Sequence, residues 1–274
     1  MVWFRRRIGV SADAMTYAST LPRTALVTGA AQRIGRTIAR SLARSGFDVA
    51  IHYNQSADAA QALCDEVRAL GQRAVTICAD LTDETAVQRV VPAAIAGLDG
   101  QPIGVLVNNA SVFERDTIDT ATRARWDLHM EANLRAPFVL TQAVAEALPL
   151  HQTGVTINIL DQRVWNLTPD FVSYTLSKAG LWTLTQTLAL ALAPRIRVAG
   201  IGPGPTLKNS RQSTVHFEAQ WRSIPMERPT SPEEIANAID FILRTPSFTG
   251  QMIALDGGEH LAWAQPKDGI IPIE

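Results

Sequence analysis

Short apolar runs alternate with amphipathic stretches along most of this chain. Thr24 to Thr28 is a short apolar run that ends at Gly29. Ile34, Ile38 and Leu42 then recur at helical spacing, which predicts a helix over 33–45 that Gly46 stops. Phe47 to His52 predicts a second strand. Ser56 is placed to cap a helix through Leu70, and Gly71 to end it. Further strands are expected over 74–78, 103–108, 154–160, 196–201 and 252–255. Helices are expected from Asp83, over about 123–148, over about 171–193, and over 233–243 with Ser231 as cap and Pro232 in the first turn.

Short apolar strands alternating with helices predict an α/β fold. It is a single doubly wound, Rossmann-type domain whose seven-stranded parallel sheet is covered by helices on both faces. The stretch from Leu181 to Ala193 is apolar on nearly every face. A sheet-covering helix should keep one face wet, so a second subunit or a crowded core must account for the surplus.

Composition narrows the class. The chain has 274 residues, 46% hydrophobic and 19% charged, enough for one large core without a composition break. The net charge of −1 disfavours nucleic acid as a partner. No uninterrupted apolar run is long enough for a bilayer. The two cysteines, Cys64 and Cys78, fit idle thiols in a reducing cytoplasm, and the five histidines lack metal-ligand spacing. Residues 1–21 read as a poorly ordered extension or an upstream start, since no long apolar core follows Arg5-Arg6-Arg7.

The candidate chemistry sits at predicted strand ends. Thr28-Gly29 through Ile34-Gly35 forms the first strand-to-helix turn, where glycine allows close approach of a pyrophosphate. Asp80-Leu81, Asn109-Ala110-Ser111 and Pro203-Gly204 follow later strands, at the edge where ligands bind in open α/β sheets. Tyr174 and Lys178 are one helical turn apart and share a face. Asp161 lies thirteen residues before the tyrosine. By itself it could be an ordinary turn former.

Together these motifs resemble the short-chain dehydrogenase/reductase family over about residues 22–258. The resemblance implies a domain over 22–274 with a substrate lid at about 206–224. It implies catalytic roles for Tyr174, Lys178 and Asn133, the last through a water chain to the lysine, and cofactor contacts for Tyr174 and for Lys178, which would grip the nicotinamide ribose. Asp161 stands where that family usually has serine, and Arg33 where it has glycine. Both departures, with Ser111 and Phe113, resemble the pteridine reductase and dihydromonapterin reductase branch. That likeness implies a pterin or folate substrate held by Arg33, Ser111, Phe113, Asp161 and Tyr174. Trp165 is a further candidate wall. The irregular-looking segment 206–224, with Asn209, Ser210, His216 and Trp221, is the expected lid.

A carboxylic acid at 161 suits a ring nitrogen, which must gain a proton when hydride adds to carbon. NADPH is the expected cofactor, because no acid ends the second strand to repel a 2′-phosphate. His52, Tyr53, Asn54 and Ser56 would line its ribose, although Gln55 stands where the branch commonly has arginine. The family also implies a cytoplasmic homotetramer. Two other functions stay open: reduction of a ketone or 3-oxoacyl thioester, and cofactor sensing without turnover.

Overall fold

The computed structural model describes residues 18–209 and 212–261. The first seventeen residues of the expected extension lie outside that range, as does Ser210 of the expected lid. Leu21, at the expected boundary, is buried and already part of the core.

Seven parallel strands form one sheet: β1 (Thr24–Val27), β2 (Asp48–Tyr53), β3 (Ala74–Cys78), β4 (Val105–Asn108), β5 (Gly154–Ile159), β6 (Ile196–Pro203) and β7 (Met252–Leu255). Their order is β3-β2-β1-β4-β5-β6-β7. The direction of winding therefore reverses between β1 and β4, which opens a crevice at their carboxyl ends.

The helices are α1 (Arg33–Arg44), α2 (Ala57–Ala69), α3 (Glu84–Gly97), α4 (Arg123–Met130), α5 (Ala136–Ala147), α6 (Val172–Leu192), α7 (Thr214–Arg222) and α8 (Pro232–Arg244). Alternation along each strand divides the core between the two faces. Ala25, Val27, Val49 and Ile51 pack with Ile38 and Leu42 of α1 and Ile235, Ile239 and Ile242 of α8. Leu26, Ala50 and Leu106 face Val87 and Val91 of α3 and Leu140 and Val144 of α5.

Three expectations need correction. Ser56 occupies the cap position of α2, but its side chain makes no capping bond. The helix expected over 123–148 is interrupted by a π-helical turn, Glu131–Arg135, between α4 and α5. The segment after β6 is not wholly irregular: α7 forms within it, with Ser213 accepting a bond from His216 N at 3.1 Å. By contrast, α8 has the full reciprocal cap between Ser231 and Glu234, with Pro232 in its first turn.

Candidate active site

Two cavities meet at the carboxyl end of the sheet. A cleft of about 680 Å³ runs over β1, β2 and β4. A smaller cavity of about 270 Å³ lies over β5 and β6, and Arg33, Ile34, Asn109 and Ser111 line both.

Main-chain geometry builds the larger cleft. Gly29 adopts φ 60, and a Cβ on it would reach 3.0 Å from Ala110 Cα. A Cβ on Gly35 would lie 2.3 Å from the Gly29 carbonyl oxygen, so that position needs the bare backbone. Thr28 Oγ1 accepts bonds from Asn109 N and Ala110 N, both 2.9 Å. The Asn109 amide returns one to Thr28 O at 2.8 Å. β1 and β4 are thus bracketed together where the strand order reverses.

His52 is locked rather than available. Gly29 N donates to its Nδ1 at 3.1 Å, so Nε2 carries the hydrogen and donates to Ala79 O at 3.1 Å. Burial lowers its pKa to about 4. It is a neutral strut in the wall of the cleft, held by two main-chain bonds. Asp80 folds back on Thr82, accepting from its N at 2.9 Å and its hydroxyl at 2.8 Å. Those bonds hold its carboxyl below the ordinary value. Neither helix N-terminus at this cleft has a side-chain cap: Gln32 before α1 and Ser56 before α2 leave the first-turn N–H groups for another acceptor.

The smaller cavity contains the candidate proton-handling groups. The Tyr174 hydroxyl donates to Asp161 Oδ2 at 2.9 Å. Asp161 Oδ1 meanwhile accepts from Arg163 N at 2.8 Å, capping a short 3₁₀ turn, Gln162–Val164. Asp161 is therefore a turn former and a partner of the phenol at once. Lys178 is 2% exposed, and its Nζ donates to Ile159 O at 2.8 Å. Burial pulls its pKa down to about 8, against the opposing pull of Asp161. Its ammonium lies 5.8 Å from the Tyr174 ring centroid.

Asn133 sits in the π-helical turn, and its side chain is saturated. Its Nδ2 donates to Val112 O at 2.9 Å and Ser177 Oγ at 3.1 Å. Its Oδ1 accepts from Val112 N at 2.8 Å and Ser111 Oγ at 3.2 Å. This amide ties the Ser111 loop to α6.

All thirteen cofactor candidates from Gly29 to Ser111, namely Gly29, Arg33, Ile34, Gly35, His52, Tyr53, Asn54, Ser56, Asp80, Leu81, Asn109, Ala110 and Ser111, line the larger cleft, and Gln55 joins them. Phe113, Asp161, Tyr174, Lys178, Pro203 and Gly204 line the smaller cavity.

Arg33 is the junction. Its guanidinium donates to Leu207 O and Lys208 O, each at 2.9 Å, and so holds the segment after β6. Phe113 stacks on Phe171, with ring centroids 4.6 Å apart, and meets Tyr174 edge-on at 4.5 Å. Trp165 is not a wall of this cavity; it packs against Trp182 and His260. Sequence reading missed Arg163, Gln212, Gln220 and Glu259, which also line it. Arg163 had one usable signal, its place two residues after Asp161 at a strand end.

The comparisons agree with this geometry. The family description "short chain dehydrogenase" matches residues 23–219. FolM alternative dihydrofolate reductase 1 from Brucella canis, crystallised with NADP, is 44% identical with a TM-score of 0.83, covering 90% of this chain and 97% of that one. A blue fluorescent protein from a metagenomic library, in complex with NADPH, is 32% identical with a TM-score of 0.80, covering 86% of this chain and 96% of that one. The 3-oxoacyl-(acyl-carrier-protein) reductase of Synechocystis sp. is 32% identical over 241 residues, 86% of this chain and 96% of that protein. This chain belongs to the short chain dehydrogenase family.

Proposed function

We propose that this protein is an NADPH-dependent reductase of a pteridine, a dihydropterin or dihydrofolate. The observation that carries this reading is the 2.9 Å bond from the Tyr174 hydroxyl to the Asp161 carboxylate, beside a cavity continuous with the larger cleft. The 44% identity to a dihydrofolate reductase bound to NADP supports it.

The larger cleft fits the cofactor. Its volume is in the range of small-molecule sites. Two uncapped helix N-termini offer N–H donors to phosphates, and the end of β2 holds no acid. Gly29, Arg33, Ile34 and Gly35 would hold the pyrophosphate side. Tyr53, Asn54, Ser56, Asp80 and Leu81 would hold the adenosine side. Asn109, Ala110, Ser111, Pro203 and Gly204 would lie toward the nicotinamide. The bound cofactor supplies the hydride.

The chain supplies the proton. A ring nitrogen beside Asp161 meets a carboxyl group whose second partner is the Tyr174 hydroxyl. The Asp161 carboxylate can therefore take the phenol proton across that hydrogen bond and pass it to the nitrogen, which leaves Tyr174 as the phenolate. The Lys178 ammonium favours the phenolate left behind. Phe113 supplies an aromatic face for a flat ring, and Ser111 and Arg33 supply polar edges.

A second reading, reduction of a ketone or 3-oxoacyl thioester, is favoured by the Synechocystis relative. NADPH oxidation with dihydrobiopterin or dihydrofolate, against a panel of ketones and 3-oxoacyl thioesters, separates the two. Pteridine turnover is expected; turnover of carbonyl substrates alone overturns the proposal. We also propose self-association through the outer face of α6, where Leu176 and Leu190 are exposed. Light scattering is expected to give a homotetramer, and a monomer overturns this.

A further inference from the structure

Behind Tyr174 lies a polar cluster that the chemistry above does not use. Asp116, His129 and Ser173 are each 0% exposed. Buried polar groups need partners, and a buried carboxylate needs several. All three have them. The Ser173 hydroxyl donates to Asp116 Oδ2, and Ser173 N donates to Asp116 Oδ1 at 3.2 Å. His129 Nε2 accepts from Glu114 N at 3.1 Å, which leaves its hydrogen on Nδ1. That nitrogen lies 2.7 Å from Ser173 Oγ and donates to it. The chain of donors runs one way, from histidine through serine to aspartate.

Its location gives it a task. Helix α6 starts after Phe171, a residue at φ 60 with no polar side chain to cap the first turn. Asp116 supplies that cap from 57 residues earlier, and its own carbonyl accepts from Phe171 N at 2.7 Å. The negative carboxylate also sits at the positive end of a 21-residue helix. The cluster therefore fastens the loop carrying Ser111 and Phe113 to the helix turn carrying Phe171 and Tyr174. The His129 ring meets the Tyr174 ring edge-on, with centroids 5.9 Å apart.

We propose that Asp116, Ser173 and His129 are positioning residues that set the Tyr174 hydroxyl against Asp161 and hold Phe113 beside it. An apolar core could close the same space. The directed bonds fix the rotation of Tyr174 and the height of the loop above it. The pyrophosphate end of the cofactor cleft is held separately, through Thr28, Asn109 and His52. The inference rests on Tyr174 as proton donor and is indifferent to which substrate it serves.

The test compares kcat with cofactor affinity, using whichever substrate the wild-type enzyme reduces. Ser173→Ala removes one buried oxygen. It is expected to lower kcat by about 10²-fold, the order that a displacement of about 1 Å causes. KM for substrate should change far less, and NADPH affinity by less than about threefold. His129→Asn keeps a donor toward Ser173 and is expected to retain most of kcat, while His129→Leu loses it. A lowered melting temperature with unchanged kcat overturns the proposal, as do equal kcat values for the Asn and Leu variants. Should Ser173→Ala not fold, the Asn–Leu pair decides alone. Wild-type enzyme that reduces ketones but no pteridine counts against the substrate assignment and leaves this comparison intact.

Discussion

The two halves of the crevice are built by different means. The half over β1, β2 and β4 is assembled from backbone groups and short side chains: Gly29, Gly35, the Thr28 hydroxyl and the Asn109 amide. Its one imidazole, His52, is neutral and consumed by two main-chain bonds. The half over β5 and β6 is assembled from ionisable side chains that meet across the fold: Asp161, Tyr174 and Lys178 in front, Asp116 and His129 behind. The first half is a shape, tolerant of pH and intolerant of an added methyl group. The second is a set of proton positions, and charge and donor geometry decide what it does.

The largest separation is expected from Asp161→Ala. It should reduce pteridine turnover by about 10³-fold, as loss of a general acid–base group does, and leave NADPH affinity nearly unchanged in a fluorescence titration. Turnover near the wild-type value would mean that Asp161 serves only its 3₁₀ turn. Gly35→Ala is expected to do the reverse. Its Cβ would press on Gly29 O at 2.3 Å and Asn109 Nδ2 at 2.6 Å. A penalty of about 1–3 kcal/mol would weaken NADPH binding by roughly tenfold or more, with kcat at saturating cofactor much less affected. Undiminished affinity would break the picture of a shape-determined half.

The pH profile sharpens the comparison next. Lys178 falls to about 8 because burial disfavours its charged form. Below that value the ammonium is present and supports the Tyr174 phenolate; above it, the proton is lost. Reductive kcat/KM is expected to decline above about pH 8, by up to about tenfold per pH unit, while the NADPH dissociation constant stays level. A profile flat to pH 10 would remove Lys178 from proton handling. The smallest effect is expected at the outer end of the cleft. Gln55→Arg adds a guanidinium where the 2′-phosphate would lie and should lower KM for NADPH by about tenfold or less. KM for NADH should stay the same; equal shifts for both would place residue 55 away from that phosphate.

The same contrast explains what could be read from the sequence. The strand ends and their turns are local: Thr28-Gly29, Ile34-Gly35 and Asn109-Ala110 announce a cleft because each is a short motif after an apolar run. Asp161 and Tyr174 are thirteen residues apart and lie on consecutive elements, so their meeting was foreseeable. Asp116 and Ser173 are 57 residues apart, and His129 and Ser173 are 44 apart. Each of them alone is an ordinary loop or helix residue, and only the packed fold makes a network of them. The π-helical turn at Glu131–Arg135 is a backbone event inside an unbroken helical pattern, with no residue signature of its own. Helix α7 was hidden by its mixture of polar and aromatic residues, which has no strong period.

Arg33 shows a trade within a single residue. It is the first residue of α1, and it sits at φ 54, a conformation glycine adopts freely and arginine adopts at a cost of about 1 kcal/mol. Its guanidinium ties down two carbonyls of the segment after β6. Restoring glycine at position 33 would ease the backbone and release the tether in the same stroke. The main chain at this position favours glycine and the side chain favours arginine, so the sign of the change in thermal stability on Arg33→Gly weighs the strained φ against the two carbonyl bonds.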